Sequence, residues 1–490
     1  MINTVANPIR RNVDGLQNPK SYHRPRANQK KRFSWRSISW RLLLSFVVIG
    51  SLISLLLAPR VMSFSRQYEL LDLLNNGRYL VLFQNDAEIR ASGGFIGSFA
   101  IVETKNKVIK PLYFETNIYK LDDPYAALTN LSPPKPLLSV TGERGWALRD
   151  SNFAADFRQS APTVAWFLKD EAQKLTGPKK AELDRALGGN YEVDGVVGLT
   201  LTAFLDILQA TGPIEVPSQG IVVTSANFFP MIQQLIEKDY FDDPVNKQLN
   251  EPKTVLQDLF PLAMQKAQNL PKTTQYRIAT KLLAEKKIIV YVNDPEKEQI
   301  LVDAGWAGAL TMVADKKLAA MHDTLAVVRT SISGNKSSID INPIYRYLVT
   351  NKSPDRLQAK LEIQFEHTGK QEWPGGPNKE YIRVLVPETA VLARASSSET
   401  DVTDRIDIGS ESGFTAFGFT IQTEPKTTQR MTIEYTLPKD KIMDRGVFGK
   451  EKYRLAVYRQ PGGNSPDITI LYNATALFQG RLTTDRVIHD

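Results

Sequence analysis

The chain has 490 residues, 42% hydrophobic and 23% charged, a composition of folded protein and a length that suits two or three folded units. Its net charge of +8 is unevenly placed: residues 1–41 hold ten Lys or Arg against one acid, Asp14, so this tail supplies +9 and the remainder sums to −1. That distribution argues against a nucleic-acid surface on the folded part, and four scattered histidines (His23, His322, His367, His489) without any cysteine argue against a zinc site or a histidine-based triad.

Residues 1–37 form a basic tail, followed by "LLLSFVVIGSLISLLLA", seventeen uncharged residues from Leu42 to Ala58. At about 1.5 Å per residue this run is roughly 25 Å of helix, and with Ile38, Ser39 and Trp40 it predicts a transmembrane helix over 38–58. Trp35 and Trp40 suit an interfacial belt, and the one-sided Lys/Arg excess places the N-terminus in the cytoplasm and the bulk of the chain outside the membrane. A cleaved signal peptide is the rival, but its apolar region would be shorter, and "LLLAPRVMS" is a poor cleavage site. A cysteine-free exported chain is compatible with a bacterial envelope.

Residues 61–77 predict a juxtamembrane helix that stops at "NNG". Strands are expected at Arg78 to Gln84, Ser98 to Thr104 and Val108 to Thr116, then a proline-bearing loop, "LDDPYAALTNLSPPKPLL". A helix over Ser160 to Leu175 has Ser160 as its N-cap candidate. "YEVDGVVGLT" reads as a buried strand, "LTAFLDILQATG" as a helix stopped by Gly212, and "PIEVP" as a short strand. Further helices are expected at Ala226 to Lys238 and Val255 to Gln268, and "KKIIVYVNDPEKEQILVDAG" is a strand followed by a helix. Alternating strands and helices predict an α/β domain over 78–322. From about Thr324, short alternating strands separated by Gly, Pro and Asn turns predict an all-β sandwich over 323–490.

Two polar clusters fall in the α/β part. Asn85, Asp86, Glu88 and Arg90 precede Gly93, Gly94 and Gly97, where glycines permit close backbone approach and an arginine would fork onto a carboxylate or phosphate. "SGGFIG" lacks both the Lys-Ser/Thr ending of a P-loop and the dinucleotide spacing. The second cluster, "WALRDSNFAADFRQSAP", contributes Arg149, Asp150, Asn152, Asp156 and Arg158, carboxylates and guanidiniums of the kind that hold Mg²⁺ and an anionic group in phosphoryl transfer. For each cluster the competing reading is structural: a turn with an ion pair for the first, a loop capping the next helix for the second. Asp194 in "VDGVVGL" is the weakest candidate, an acid before glycine that is commonly a turn former.

"LVLFQNDAEIRASGGFIGSFAIV", "LRDSNFAADFRQSA", "EVDGVVGLTLTAFLDILQATGPIEV" and "IIVYVNDPEKEQILVDAGWAG" together resemble the bacterial membrane proteins grouped as domain of unknown function 4012. More loosely, the order of motifs looks like the LytR-CpsA-Psr envelope proteins, which share a single N-terminal anchor and transfer glycopolymers from a polyprenyl-pyrophosphate carrier to peptidoglycan. That resemblance implies an LytR-CpsA-Psr-like mixed sheet with helices. It implies Arg90 as a pyrophosphate contact, with Arg149, Arg158, Asn85 and Glu88 as further anionic-ligand contacts, and Asp150 or Asp156 as metal or base residues with Mg²⁺. The sequence departs from that pattern: "FETNIYKLDD" has no arginine, and the later arginine-rich segment is replaced by one offering only Lys238, Lys247 and Lys253. The expectation is therefore an envelope protein that binds or transfers a lipid-pyrophosphate-linked glycopolymer, or else a non-catalytic envelope scaffold or adhesion module binding polysaccharide or a partner protein.

Overall fold

Apolar residues in β1 (Gly77–Arg90) alternate between two faces, Leu80 and Leu82 to one core and Tyr79, Val81 and Phe83 to another. The computed structural model describes residues 73–106, 108–138, 145–236, 254–311, 322–445 and 451–490, all within one contact unit. β1 is the centre of a five-stranded sheet of order β3-β2-β1-β4-β7, built with β2 (Gly93–Lys105), β3 (Val108–Glu115), β4 (Gly195–Thr200) and β7 (Ile288–Val292). β1 and β4 run parallel and the other neighbours antiparallel, while β5 (Ile214–Val216) and β6 (Ile221–Val223) pair separately.

The helices are α1 (Tyr119–Leu128), α2 (Phe157–Lys174), α3 (Pro178–Leu187), α4 (Leu201–Thr211), α5 (Phe228–Gln234), α6 (Thr254–Gln268), α7 (Lys272–Ala284) and α8 (Pro295–Asp303). Val164, Phe167 and Leu168 of α2 cover one face of the sheet. Leu283 of α7, Leu301 and Val302 of α8, and Trp306 cover the other. A mixed α/β architecture follows, with both faces of β1 buried.

Several local expectations are corrected. The stretch after Gln84, expected to leave the strand, continues β1 to Arg90, and only Ala91 and Ser92 separate β1 from β2. The proline-bearing loop contains α1, whose buried face is Leu121, Asp122 and Tyr125; Pro124 and an acid on that face hid the helical pattern. α2 is capped by Asp156, whose side chain accepts from the Arg158 amide at 2.9 Å, and Ser160 lies inside its first turn with its hydroxyl donating to Ala154 O. The expected transmembrane helix (38–58) lies outside the described residues, as does most of the juxtamembrane helix (61–77), whose last residue, Gly77, opens β1. Among the described residues, no helix is long and apolar enough to cross a membrane.

From β8 (Asp323–Ser331) onward the chain is β-rich. Its main strands are β9 (Ile341–Thr350), β10 (Arg356–His367), β11 (Asn378–Pro387), β12 (Phe414–Thr423), β13 (Thr428–Pro438), β14 (Arg454–Tyr458) and β15 (Asp467–Tyr472). They form a seven-stranded sheet around β13-β10-β9-β15 and a six-stranded sheet around β12-β11-β8-β14. The two sheets close one core, with Leu361, Ile363 and Ile433 from the first meeting Val327, Val384 and Leu455 from the second. The second sheet's outer face, Ala326, Val328, Leu385 and Ala456, packs on Ala91, Ala155 and Leu310 of the α/β part. All nine residues of β8 are consequently buried.

Candidate functional site

The first polar cluster meets Asp150 and Asn152 of the second beside this junction. Opposite Gly94 and Phe95 of β2, β1 bulges: Asn85 pairs with Phe95 and Ile89 with Gly94, leaving Asp86, Ala87 and Glu88 without partners in the ladder. Asn85 Oδ1 holds the bulge by accepting from the Ala87 amide at 3.1 Å. Gly94 is required there, because a Cβ would stand 2.3 Å from the Asn85 carbonyl carbon.

Arg90, 1% exposed, donates from Nη2 to Glu88 Oε1 at 3.0 Å and to Asp150 Oδ1 at 3.1 Å, and from Nη1 to the Ser331 carbonyl at 2.9 Å. Its Nε has no partner. Burial alone would lower its pKa, yet Glu88 and Asp150 together hold it above the ordinary value. Glu88 in turn takes Lys336 Nζ on Oε2 at 2.6 Å; burial pushes its carboxyl up, but Lys336 and Arg90 outweigh that and leave it lowered. Asp86 is fully buried and raised by desolvation, even though it accepts from Thr202 Oγ1 at 2.6 Å and from the Gly463 amide at 3.2 Å.

Arg149 continues the network away from the junction. Its Nη1 lies 3.0 Å from Asp123 Oδ1 and 3.4 Å from Asp122 Oδ2, its Nε lies 3.7 Å from Asp150 Oδ2, and its guanidinium stacks over Tyr119. Behind it, Asp122 and Glu171 are buried side by side, with Asp122 Oδ2 accepting from the Arg149 amide and Glu171 Oε1 from the Leu148 amide, each at 3.0 Å. Glu88, Asp122, Asp150 and Glu171 thus face Arg90, Arg149 and Lys336, an excess of one acid in the interior. The remaining oxygens, Asp122 Oδ1 and Glu171 Oε2, have no donor, which a proton shared between the two carboxyls supplies. Desolvation raises both: Asp122 goes to about 7, with Asp150 adding to the rise and Arg149 and the hydrogen bond to Glu171 opposing it, and Glu171 goes well above its usual range, with Asp122 adding to the rise.

A pH dependence follows. Between about pH 4 and 7 the unfolded chain releases a proton that the native pair retains, so stability is greatest on the acid side and falls as pH rises through the folded-state value. Glu171→Gln keeps a donor toward Asp122 without titrating. Relative to wild type it is expected to flatten the stability profile between pH 5 and 8, and to be more stable at pH 8 by about 1–2 kcal/mol, in urea unfolding at each pH. Parallel profiles for the two proteins would show that the pair holds no proton.

Asp156 and Arg158 stand apart from this network. Arg158 grips Asp156 through Nε at 3.0 Å and Nη2 at 2.6 Å, with its side chain 33% exposed, while Asp156 Oδ2 also accepts from the Leu310 amide at 3.3 Å. Asn152 ties the loop to β2 through Gly94 O at 2.9 Å, and Asp194, just before β4, accepts from the Arg78 amide at 2.7 Å, a long-range tie to the start of β1. Among the described residues, no group of three or more His, Asp or Glu is arranged to hold a metal ion. Asp150 serves two arginines and Asp156 an arginine and a helix cap, so their donor set does not suit Mg²⁺ in this conformation. At the junction, a cavity of about 20 Å³ lined by Ile89, Arg329, Gln460 and Asn464 has room for about one water.

Residues 75–236, which carry β1, the bulge, Arg149, Asp150 and α2, match the family model described as "Protein of unknown function (DUF4012)". This segment belongs to the DUF4012 family. No curated protein matches the chain. Among solved structures, a Legionella pneumophila protein described as nutrient binding is 10% identical at a TM-score of 0.22, covering 31% of this chain and 55% of its own. An M1 zinc metallopeptidase of Deinococcus radiodurans is 13% identical at 0.17, covering 27% of this chain and 31% of its own. Leukotriene A4 hydrolase of Saccharomyces cerevisiae is 7% identical at 0.19, covering 31% and 30%. The chain therefore spans little more than half of the first protein and under a third of the two enzymes.

Beyond the DUF4012 segment lie the partners that the sequence did not disclose: Ser331, Lys336, Gln460 and Gly463. Gln460 Nε2 bridges the carbonyls of Arg90 and Arg329 at 2.9 and 2.7 Å. In "RQPGGNSP", paired glycines after a strand were the available signal of a close backbone approach. Asp122 and Glu171 gave none, since Asp122 reads as a loop residue near Pro124 and Glu171 as an ordinary polar helix position.

Proposed function

We propose that the chain is a non-catalytic module of the cell envelope, anchored through residues 38–58, whose two folded parts act as one rigid body toward an extracytoplasmic polysaccharide or partner protein. One observation carries this reading: Arg90, the residue best suited to an anionic ligand, is 1% exposed and engaged by Glu88, Asp150 and the Ser331 carbonyl. A guanidinium already balanced by two carboxylates has no charge to offer a pyrophosphate, and reaching it requires parting the α/β part from the β-rich part. The likeness to LytR-CpsA-Psr proteins in motif order is, on this reading, a kinship of scaffold without the transfer chemistry.

The test is calorimetric titration of the full-length protein with an isoprenyl pyrophosphate, with and without Mg²⁺. No saturable binding is expected at near-millimolar ligand. Metal-dependent binding that Arg90→Lys weakens would overturn the proposal and restore the glycopolymer-transfer reading.

A further inference from the structure

We infer that the turn between β2 and β3 is a lipid-contact corner that seats the folded part on an anionic bilayer surface; this rests on reading residues 38–58 as a membrane anchor. Gly77, the first residue of β1, pairs with Thr104 near the end of β2, and its amide donates to Thr104 Oγ1 at 3.2 Å. The same hydroxyl donates to the Leu74 carbonyl. The chain arriving from the apolar segment is therefore fastened at this corner. Fourteen residues, 59–72, intervene after Ala58, a tether of roughly 20 Å if helical and at most about 50 Å if extended.

The corner carries an unusual surface. Val108 is 65% exposed and Ile109 49%, so consecutive aliphatic side chains, pointing to opposite faces of edge strand β3, both meet solvent. The exposed run extends through Lys110 and Pro111 before the strand rejoins the core at Tyr113, so the tip projects past the packed body. Lys105 and Lys110 flank the pair in space, and Lys107 adjoins it in sequence. Short aliphatics ringed by lysines suit shallow insertion among anionic headgroups, with the lysine stems lying along the apolar region and their ammonium groups at the phosphates.

The placement of acids favours the same orientation. Glu103 lies opposite Lys110 in the ladder, leaving the turn with a surplus of lysine. Asp294 and Glu296 after β7 belong to the far side of this end of the sheet, with β3 and β7 four strand spacings or about 19 Å apart, while Asp184 and Glu192 are each paired with a lysine and Asp194 accepts from the Arg78 amide. Contact at the β3 corner holds Asp294 and Glu296 away from an anionic surface.

The cysteine-free chain allows single-site labelling. Full-length Val108→Cys, carrying an environment-sensitive fluorophore, is reconstituted in vesicles of phosphatidylcholine alone or mixed with phosphatidylglycerol, beside Ile408→Cys as an exposed site in the β-rich part and Ser51→Cys within the apolar segment. On the anionic vesicles the label at 108 is expected to shift blue and lose severalfold in quenching by aqueous iodide, while the label at 408 does not change. Lys105→Glu combined with Lys110→Glu is expected to return the label at 108 to water. A label at 108 that stays quenchable on anionic vesicles overturns the inference, and so does protection that is equal on neutral vesicles and indifferent to the lysine changes. A quenchable label at 51 instead refutes the anchor, and the label at 108 on the same vesicles still decides the corner.

Discussion

Arg90→Ala is expected to destabilise the protein by about 3–5 kcal/mol, because it strips the shared cation from two buried carboxylates. Lys336 still compensates Glu88 at 2.6 Å, but Asp150 keeps only the more distant Arg149 Nε at 3.7 Å, and the Ser331 carbonyl loses its side-chain donor. Arg90→Met restores volume without charge and should recover little of the loss, whereas Arg90→Met with Asp150→Asn should cost less than the two single changes summed, the signature of direct coupling. Urea unfolding of the four proteins measures the cycle. A loss below about 1 kcal/mol for Arg90→Ala would mean that the buried charges do not hold the two parts together.

Gly462→Ala is the second large effect, expected at about 3 kcal/mol from overpacking and backbone strain combined. Gly462 has φ +74, and a Cβ there would stand 2.3 Å from the Gly93 carbonyl oxygen and 3.0 Å from Asp86 Cβ. Neither neighbour can yield, since Gly93 is paired within the β1–β2 hairpin and Asp86 is held by Thr202 and by Gly463. Gly220→Ala is the matched control: its φ is +62 but no atom lies within 4 Å of the added carbon, so it should show the backbone penalty alone, about 1 kcal/mol. Thermal unfolding of both variants separates the terms. Equal losses would place the 462 loop away from the bulge.

The outline of the α/β part was legible where one physical rule dominated. Alternation in "RYLVLFQ" predicts β1, and the 3.6-residue pattern with a glycine stop predicts the helix ending at Thr211. Legibility failed where a segment's environment is supplied from far along the chain. "DAEIR" reads as a loop because acids and arginine belong in water, yet it stays in β1 because Ser331 and Gly463 satisfy Arg90 and Asp86 from 241 and 377 residues later. The same long range explains the site. Arg90, Glu88 and Asp150 were recognisable as a charged group, but whether such a group faces a ligand or its own counter-ions depends on what packs over it. The missed helix α1 has another cause: Pro124 and the buried Asp122 break the apolar pattern, and only the contacts of Asp122 with Arg149 make an acid tolerable on its inner face.

β8 has no residue in solvent, because one of its faces lines the β-rich core and the other is pressed against the α/β part. A strand that is a wall of two cores makes their melting a single event, since loss of either core strips half of its burial and weakens the other. The 75–236 boundary accordingly marks where sequence likeness ends and not where a folding unit ends. A fragment cut there would lack β7, the cover over Ala91 and Ala155, and the counter-charge that Lys336 gives Glu88. The smallest piece of this chain that behaves as a thermodynamic domain therefore runs from the first strand through the last.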